Sequence, residues 1–456
     1  SKSGRSFTRL DEDKEKEARV RLVHDLGLFL KGSCDLTPSC VGSTSFFHSN
    51  EFPLINDVLM SIFSSPYTIG MVGENDEYFI ADYLKDHSLE DALRDPSLSP
   101  GLLDKIIRKK SDELLALIDI RIGMNEFMTA YHDFLKRHLF EEKKIEEFSR
   151  ELFARFGVEL DTIIESWFRT NRLPLFQVTG NVIILEDGKM FDFKVFNRGE
   201  VPGIITLSRD DPGWIIPPGE GRSIRTCVEN AGVSVNTVLA LNVPSMIDLP
   251  YKRGSAETDT TTCFLSIDTS SFPTNDREII VDNEDPGFSI REIRKFDFAS
   301  LFGKIEIRAK CYSSAPANHW GLIIRRGYQG FPVKGAYFKK AGKGNQKVCW
   351  ETCLPEEGKY EVFCYLPYDN RSIDLSLGPY FSRKYHYTVF DGKEEHEVVL
   401  SLDKDDWRWM SLGVFDFHGV ARVTLSDKDR ERDSSNEKFG PQEIVADAMK
   451  WVKIQE

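Results

Sequence analysis

The fold of the last third of this chain is decided by four stretches: Tyr360-Glu361-Val362-Phe363, Trp409-Met410-Ser411-Leu412-Gly413-Val414-Phe415, Val423-Thr424-Leu425-Ser426-Asp427 and Ile444-Val445-Ala446-Asp447-Ala448-Met449-Lys450-Trp451. They belong to residues 279–454, which hold many short strand-like runs separated by turns rich in Gly and Pro. Such a series is typical of a β-sandwich or jelly roll. The sequence therefore predicts a jelly-roll-like β domain over residues 276–456.

Further motifs recur in order through this region: Asp285-Pro286-Gly287-Phe288, Gly335-Ala336-Tyr337-Phe338, Cys349-Trp350-Glu351-Thr352 and Pro355-Glu356-Glu357-Gly358-Lys359-Tyr360-Glu361-Val362. Together with the four stretches above, they resemble the golvesin-like C-terminal domain. That β-rich module is related to the carbohydrate-binding module proposed for xanthan lyase. The resemblance implies an appended module in a bacterial envelope or secreted protein, and it directs the search for catalytic chemistry to the N-terminal half.

Length and composition describe a soluble protein of several domains. The chain has 456 residues, of which 41% are hydrophobic and 29% charged, and this suffices for more than one core. No apolar run reaches the roughly 18 residues that span a membrane. The formal net charge of -14 argues against nucleic acid or anionic lipid as the main partner.

The eight cysteines favour an oxidising compartment. Cys34 and Cys40 lie close enough in sequence for a disulfide to close a short loop, and Cys349 and Cys353 form a second close pair. No Cys-x-x-Cys pair is present, so a zinc ribbon or a thioredoxin-like site has little support. We therefore expect a cell-envelope (periplasmic or surface) or secreted protein; the alternative is a set of buried free thiols.

Residues 1–174 are predicted to be helical. Between residues 102 and 137 the apolar residues recur at intervals of three and four, which is the period of an amphipathic helix. Gly123 divides this segment into two helices. A third helix is predicted over residues 144–156, and a fourth from Asp161, as N-cap, to Trp167.

The middle of the chain changes to a period of two. Phe191-Asp192-Phe193-Lys194-Val195-Phe196 alternates as a half-buried strand does, and Asn197-Arg198-Gly199 follows as a turn. We predict a small β-sandwich with its linker over residues 175–275. The Thr- and Ser-rich residues 255–271 are predicted to be a loop or linker, and the charged run 427–438 a solvated loop.

Three places in the N-terminal half resemble a gluzincin aminopeptidase of the aminopeptidase N type. They are the helices of residues 111–138, the segment Trp167-Phe168-Arg169-Thr170-Asn171-Arg172-Leu173-Pro174, and Val23-His24-Asp25-Leu26-Gly27-Leu28-Phe29-Leu30. The last segment stands where the family has His-Glu-x-x-His. In that motif two histidines on one helix face bind zinc, and the glutamate is the general base.

The resemblance implies a damaged zinc site. His24 is kept, Asp25 replaces the glutamate, and Leu28, which cannot bind a metal, replaces the second histidine. Glu51 matches the third zinc ligand, and Arg108 stands in place of the tyrosine that stabilises the oxyanion. These vestigial positions predict a catalytically dead peptidase-like lobe with no cofactor. One alternative is a zinc metallopeptidase with an incomplete or rebuilt site. The other is that His24 is an ordinary helix histidine near a loop and Glu51 a surface carboxylate.

Aromatic side chains of the C-terminal domain are candidates for ligand binding, because a flat ring can cover the apolar face of a sugar. The candidates are Trp407, Tyr365, Tyr368 and Tyr328. Trp409 precedes Ser-Leu-Gly in a strand-like run and is expected in the core.

The sequence thus predicts an α+β multidomain protein: a helical peptidase-like lobe, a small β-sandwich and a jelly-roll-like β domain. The preferred function is a non-catalytic scaffold that binds a glycan or a protein partner. The alternatives are the zinc metallopeptidase and a carbohydrate-binding accessory protein. The oligomeric state does not follow from the sequence.

Overall fold

A computed structural model of the protein describes residues 46–49, 51–52, 54–56, 58–59, 72–138, 141–186, 188–208, 213–229, 232–254, 261–272, 278–292, 311–367, 384–401, 408–428 and 443–454. These residues form two compact units. The first takes the described parts of 1–72, 84–172 and 204–215. The second takes 73–83 and the described parts of 173–203 and 216–456. Helices and several β-sheets are both present, as expected for an α+β multidomain chain.

The described helices are α1 Glu74–Leu84, α2 Leu89–Arg94, α3 Pro100–Ile122, α4 Met124–Arg137, α5 Ile145–Phe156 and α6 Leu160–Arg169. Gly123 separates α3 from α4 as predicted, with φ 93°, a conformation that few residues other than glycine adopt. The predicted third and fourth helices are confirmed as α5 and α6. The N-cap of α6 is Glu159 rather than Asp161, which lies inside the helix and donates its N–H to Ser149 Oγ.

The helical unit has an aromatic core. Phe47 stacks on Tyr131, Phe134 and Phe148, each with ring centroids 5.7 Å apart, and Phe127 completes the cluster. Each buried ring removes a large apolar surface from water, and the geometry of the pairs adds a further stabilisation. The helical period of the sequence therefore locates the helical part of this core, whereas Phe47 reaches it from a strand, Phe46–His48, inside the predicted helical residues 1–174.

The first described strands are β1 Phe46–His48, β2 Glu142–Lys144, β3 Phe176–Leu185, β4 Gly188–Asn197, β5 Gly203–Thr206, β6 Trp214–Ile216, β7 Gly221–Val228, β8 Ser234–Thr237, β9 Met246–Asp248, β10 Tyr251–Arg253 and β11 Cys263–Ile267. Strands β10, β3, β4, β7 and β11 form one sheet in that order. The predicted strand at residues 191–196 is confirmed within β4. The predicted linker at residues 255–271 is corrected, because it contains β11, which pairs with β7.

The remaining described strands are β12 Glu278–Val281, β13 Phe288–Glu292, β14 Gly321–Ile324, β15 Gly335–Lys340, β16 Gln346–Cys353, β17 Gly358–Leu366, β18 Lys384–Phe390, β19 Glu395–Ser401, β20 Arg408–Phe417, β21 Val420–Ser426, β22 Glu443–Ala446 and β23 Met449–Lys453. They form a four-stranded sheet (β12-β23-β17-β20), a five-stranded sheet (β13-β16-β21-β18-β19) and a three-stranded sheet (β14-β15-β22). Alternate residues of the two larger sheets share one core, which includes Trp350, Tyr385 and Trp451.

A buried ion pair fixes the turn between β15 and β16. Lys339 Nζ lies 2.5 Å from Asp427 Oδ2, and both side chains are 2% exposed. Asp427 Oδ1 also accepts hydrogen bonds from the N–H groups of Gly344 and Gln346. Asp427 was expected to begin a solvated loop, but three donors satisfy its carboxylate and permit its burial.

The six described cysteines are free thiols, namely Cys227, Cys263, Cys311, Cys349, Cys353 and Cys364. Cys349 and Cys353 lie on β16, four residues apart, a separation of about 13 Å along a strand. A disulfide needs Cα atoms within about 7 Å. The expected second cysteine pair is therefore corrected, while Cys34 and Cys40 lie outside the described residues.

We call the domain formed by strands β12 to β23 the C-terminal sandwich. We predict that Lys339→Met lowers its free energy of unfolding by about 3 to 5 kcal/mol, because Asp427 would remain buried without its cation. Urea unfolding followed by tryptophan fluorescence measures the change. Lys453→Met is the matched control, since its partner Glu356 is 70% exposed. That control should cost less than about 1 kcal/mol, and equal losses in the two variants would contradict the prediction.

Candidate functional site

The outer face of the four-stranded sheet carries a group of aromatic and apolar side chains. Along β17 the residues Tyr360, Val362, Cys364 and Leu366 are buried in the sandwich core, so the intervening side chains point away from it. The outward group, called the aromatic face below, consists of Ile280, Phe363, Tyr365, Trp409, Val414 and Lys450.

A β-bulge makes this face continuous. Trp409 and Val414 are five positions apart, so in a regular strand they would point to opposite faces. The pairing of β17 with β20 shifts between Val362 and Phe363, and one residue of β20 is absorbed there. Tyr365 therefore pairs with Trp409 while Val414 stays on the same side of the sheet.

The backbone beside Trp409 is strained. Arg408 has φ 109°, a value that side chains other than that of glycine rarely adopt. Such strain costs on the order of 1 to 3 kcal/mol and often accompanies binding or catalytic sites. The entry of β20 into the sheet is thus held in an unfavourable conformation next to the largest side chain of the face.

Two rings of the aromatic face pack around one cation, and the third packs against one of these rings. Tyr365 meets Trp409 edge to face, with ring centroids 5.3 Å apart. Lys450 Nζ lies 4.8 Å from the centroid of Trp409 and 5.1 Å from that of Phe363. A cation over an aromatic ring is attracted by the negative charge of the ring face. Lys450 is further paired with Glu278, at 3.4 Å.

Polar groups border the rings. Ser411 donates from Oγ to Glu361 Oε1 at 2.7 Å, and Tyr365 donates from its hydroxyl to the carbonyl of Gly327 at 3.2 Å. Hydroxyl and carboxylate groups of this kind can donate to and accept from the hydroxyls of a ligand. Flat rings with a few polar groups at their edge form a surface for a ligand that is apolar on its faces and polar around its rim.

Two buried carboxyl groups lie beside the same loop that Tyr365 contacts. Asp447 is 2% exposed and accepts from the Gln329 N–H, at 3.3 and 3.2 Å for its two oxygens. Asp282 is 6% exposed, and its buried Oδ2 has no hydrogen-bond partner among the described residues. A Cβ on Gly330 would come within 2.8 Å of that oxygen, so glycine allows the loop to approach it.

Burial raises the pKa of both groups. The pKa of Asp282 rises to about 7, and the negative charges of Asp285 and Glu284 act in the same direction as its desolvation. The pKa of Asp447 rises well above its ordinary value, first through desolvation and then through the charge of Asp282. A carboxyl group without a cation prefers its neutral form in such surroundings.

Of the four positions implied by the peptidase resemblance, Glu51 and Arg108 lie among the described residues. His24 and Asp25 lie outside them. Glu51 is exposed and paired with Arg169, and Arg108 is paired with Asp104 at 2.8 Å along α3. Within the described part of the chain, no group of three or more His, Cys, Asp or Glu side chains is placed to hold a metal ion.

Of the four ligand-binding candidates predicted from the sequence, two lie among the described residues. Tyr365 lies on the aromatic face, whereas Trp407 and Tyr368 lie outside the described residues. Tyr328 is corrected: it is 4% exposed and packs against Phe338 in a small core, so its ring is closed to a ligand. Trp409 was expected in the core but lies half-buried on the face.

Sequence reasoning also missed Phe363 and Lys450. The alternation of β17 would have placed Phe363 beside Tyr365. The position of Trp409 depends on the bulge, and that of Lys450 on the pairing of β17 with β23. Neither feature can be deduced from the sequence of one strand.

Comparison with known proteins gives distant likenesses. No family model and no curated protein sequence matches the chain. Among solved structures, a Paenibacillus xanthan lyase is 13% identical with a TM-score of 0.27, covering 62% of this chain and 26% of that one. Podospora anserina GH26-CBM35 β-(1,4)-mannanase is 10% identical with a TM-score of 0.20, covering 40% and 28%. Legionella pneumophila aminopeptidase A is 19% identical with a TM-score of 0.16, covering 29% and 15%.

This chain therefore spans about a quarter of the xanthan lyase that it matches. The two family resemblances stay predictions. No helix in the described part of the chain is both long and apolar enough to cross a membrane.

We predict that acid stabilises the C-terminal sandwich through Asp282. Its folded pKa of about 7 lies above the value of about 3.9 for an unfolded Asp. The resulting stabilisation is fully present below about pH 4 and is lost as the pH rises through about 7. Relative to Asp282→Asn, the free energy of unfolding should fall by about 2 to 4 kcal/mol between about pH 4 and about pH 8.

Urea unfolding at a series of pH values measures this difference. Asp416→Asn is the control, because Asp416 is exposed on β20, and its pH profile should follow that of the unchanged protein. A constant difference between Asp282→Asn and the unchanged protein over this pH range would contradict the prediction.

Proposed function

We propose that the protein is a non-catalytic carbohydrate-binding protein and that the aromatic face is its binding surface. The observation that supports this most directly is the grouping of Phe363, Tyr365 and Trp409 on the outer side of a sheet whose inner side is already a complete core. Large aromatic side chains are usually buried in the core of a protein. Rings placed on the other side of the sheet offer contact area to a ligand.

The chemistry of the face suits a sugar ring. A pyranose presents C–H groups on its faces and hydroxyls around its edge. The rings of Trp409 and Tyr365 can pack against the C–H groups, while Ser411 and Glu361 provide a hydroxyl and a carboxylate for the rim. The ring pair and the Lys450 contacts hold these side chains in place before a ligand arrives, which lowers the entropy lost on binding.

The apolar flanks extend the surface beyond a single sugar. Val414 is 50% exposed and Ile280 is 45% exposed, on opposite sides of the ring group in the strand order β12-β23-β17-β20. Strands are about 4.8 Å apart, so the four strands offer a surface about 15 Å wide. This width favours an oligosaccharide or polysaccharide over a monosaccharide.

The proposal includes an envelope or secreted location, where polysaccharide is the common ligand, and a helical lobe that acts as a scaffold. Its competitor is a protein partner that docks on the same face. The two are separated by the ligand that the face retains.

We predict that Trp409→Ala weakens polysaccharide binding at least about tenfold, which corresponds to about 1.4 kcal/mol, because the largest ring surface is lost. Affinity gel electrophoresis against a panel of neutral and acidic polysaccharides, followed by calorimetry on the best ligand, measures the change. Tyr365→Ala should act in the same direction.

Tyr251→Ala is the matched control, since Tyr251 is an aromatic side chain 69% exposed on β10, away from the face. It should bind as the unchanged protein does. Retention of no polysaccharide by the unchanged protein, or equal weakening in Trp409→Ala and Tyr251→Ala, would count against the proposal.

A non-catalytic lobe should also hold no stoichiometric zinc. We predict that the purified chain, incubated with zinc and then washed, contains well below one zinc per chain by mass spectrometry, because Leu28 cannot replace a histidine ligand. About one tightly held zinc, lost in His24→Ala but kept in His87→Ala, would instead support the zinc peptidase.

A further inference from the structure

The edge strand β11 has an unusual surface. It lies at the end of the sheet β10-β3-β4-β7-β11, and among the described residues it pairs with β7 alone. Leu265 is 58% exposed and Phe264 is 46% exposed. These two neighbours point to opposite faces of the sheet, so the strand is open on both faces.

Most other edge strands of the second unit carry charges, and β14, which has none, is buried. The charged residues are Lys252 and Arg253 on β10, Glu278 on β12, Arg291 on β13, Glu395 and Glu397 on β19, and Arg408 and Asp416 on β20. Charged residues on an edge oppose pairing with another strand. Strand β11, with the sequence Cys-Phe-Leu-Ser-Ile, has none.

The described cation beside this edge is already engaged by other groups. Arg222 lies on β7, and its guanidinium stacks over the Phe264 ring at 5.6 Å while pairing with Glu220. The cation is thus held by Phe264 and Glu220. The backbone N–H and C=O groups on the outer side of an edge strand are free to continue the ladder.

We propose that β11 is a dimerisation strand and that a second copy of this chain adds to the sheet across it. The two β11 strands run antiparallel about a two-fold axis at Leu265, which joins two five-stranded sheets into one of ten strands. The interface is isologous, since the same strand serves both copies.

The register favours a second copy with this orientation. With Leu265 opposite Leu265, the position numbers of each pair sum to 530, so Phe264 faces Ser266 and Asp268 faces Thr262. The acidic group at the strand end therefore meets a neutral residue. Parallel self-pairing in register would place Asp268 opposite Asp268, which is unfavourable because like charges opposite each other repel.

Sedimentation and light scattering of the full chain, from about 1 to about 100 µM, test the proposal. The mass should rise with concentration from 52.2 kDa toward twice that value. Leu265→Lys should raise the dimer dissociation constant at least about tenfold, since two lysines would meet at the axis. Val399→Lys, at a side chain 53% exposed on the edge strand β19, should leave it unchanged.

A chain that stays monomeric over this range would overturn the proposal, and so would a dimer that Leu265→Lys and Val399→Lys leave equally intact. Thermal unfolding of each variant shows whether it is folded, and Phe264→Lys repeats the test at a second position. Because the strand belongs to a different sheet from the aromatic face, polysaccharide binding by the variants is assessed separately.

Discussion

The C-terminal sandwich depends on the strict alternation of β17. One set of its side chains completes the core and the other set reaches the outer face, so each substitution affects stability or surface chemistry but seldom both. A single bulge in the neighbouring strand preserves this separation where the alternation would otherwise bring Trp409 to the wrong side. The core and the candidate binding face are therefore two consequences of one pairing register, and neither can shift without the other.

The C-terminal sandwich buries carboxyl groups in two kinds of surroundings, one with a neighbouring cation and one without. Asp427 is surrounded by donors, and the cation of Lys339 lies against it, which permits its burial. Among the described residues, Asp282 and Asp447 have no such cation, and burial raises the pKa of each. The first arrangement fixes the turn between β15 and β16. The second makes the packing of the loop at Gly327–Gly330, which Tyr365 also contacts, sensitive to proton concentration.

The sequence predicts helices and strands better than it predicts which of them pack against or pair with each other. The helical period located α3 to α6, because one amphipathic face must be buried whatever it packs against. The period of two located β4 for the same reason. Sequence patterns failed at β11, because the threonines and serines around this five-residue strand resemble a linker. They also failed at Asp427, whose ion-pair partner is 88 positions away in the sequence. Trp409 was misplaced because the bulge that orients it is a property of two strands. His24, Asp25 and Trp407 lie outside the described residues, so the predictions about them stand as they were made.

A binding face made of a few half-buried rings gives limited affinity, because each ring contributes only a small share of the binding energy and the polar rim exchanges water for ligand hydroxyls with little net gain. Dimerisation through β11 would change this without any new contact to the ligand. Two faces on one particle turn the second binding event into an intramolecular one, and a polysaccharide offers many equivalent sites. The gain depends on the distance between the two faces and on the spacing of the repeats along the polymer. A monovalent oligosaccharide would show none of it, so the ratio of polymer to oligosaccharide affinity reports the assembly directly.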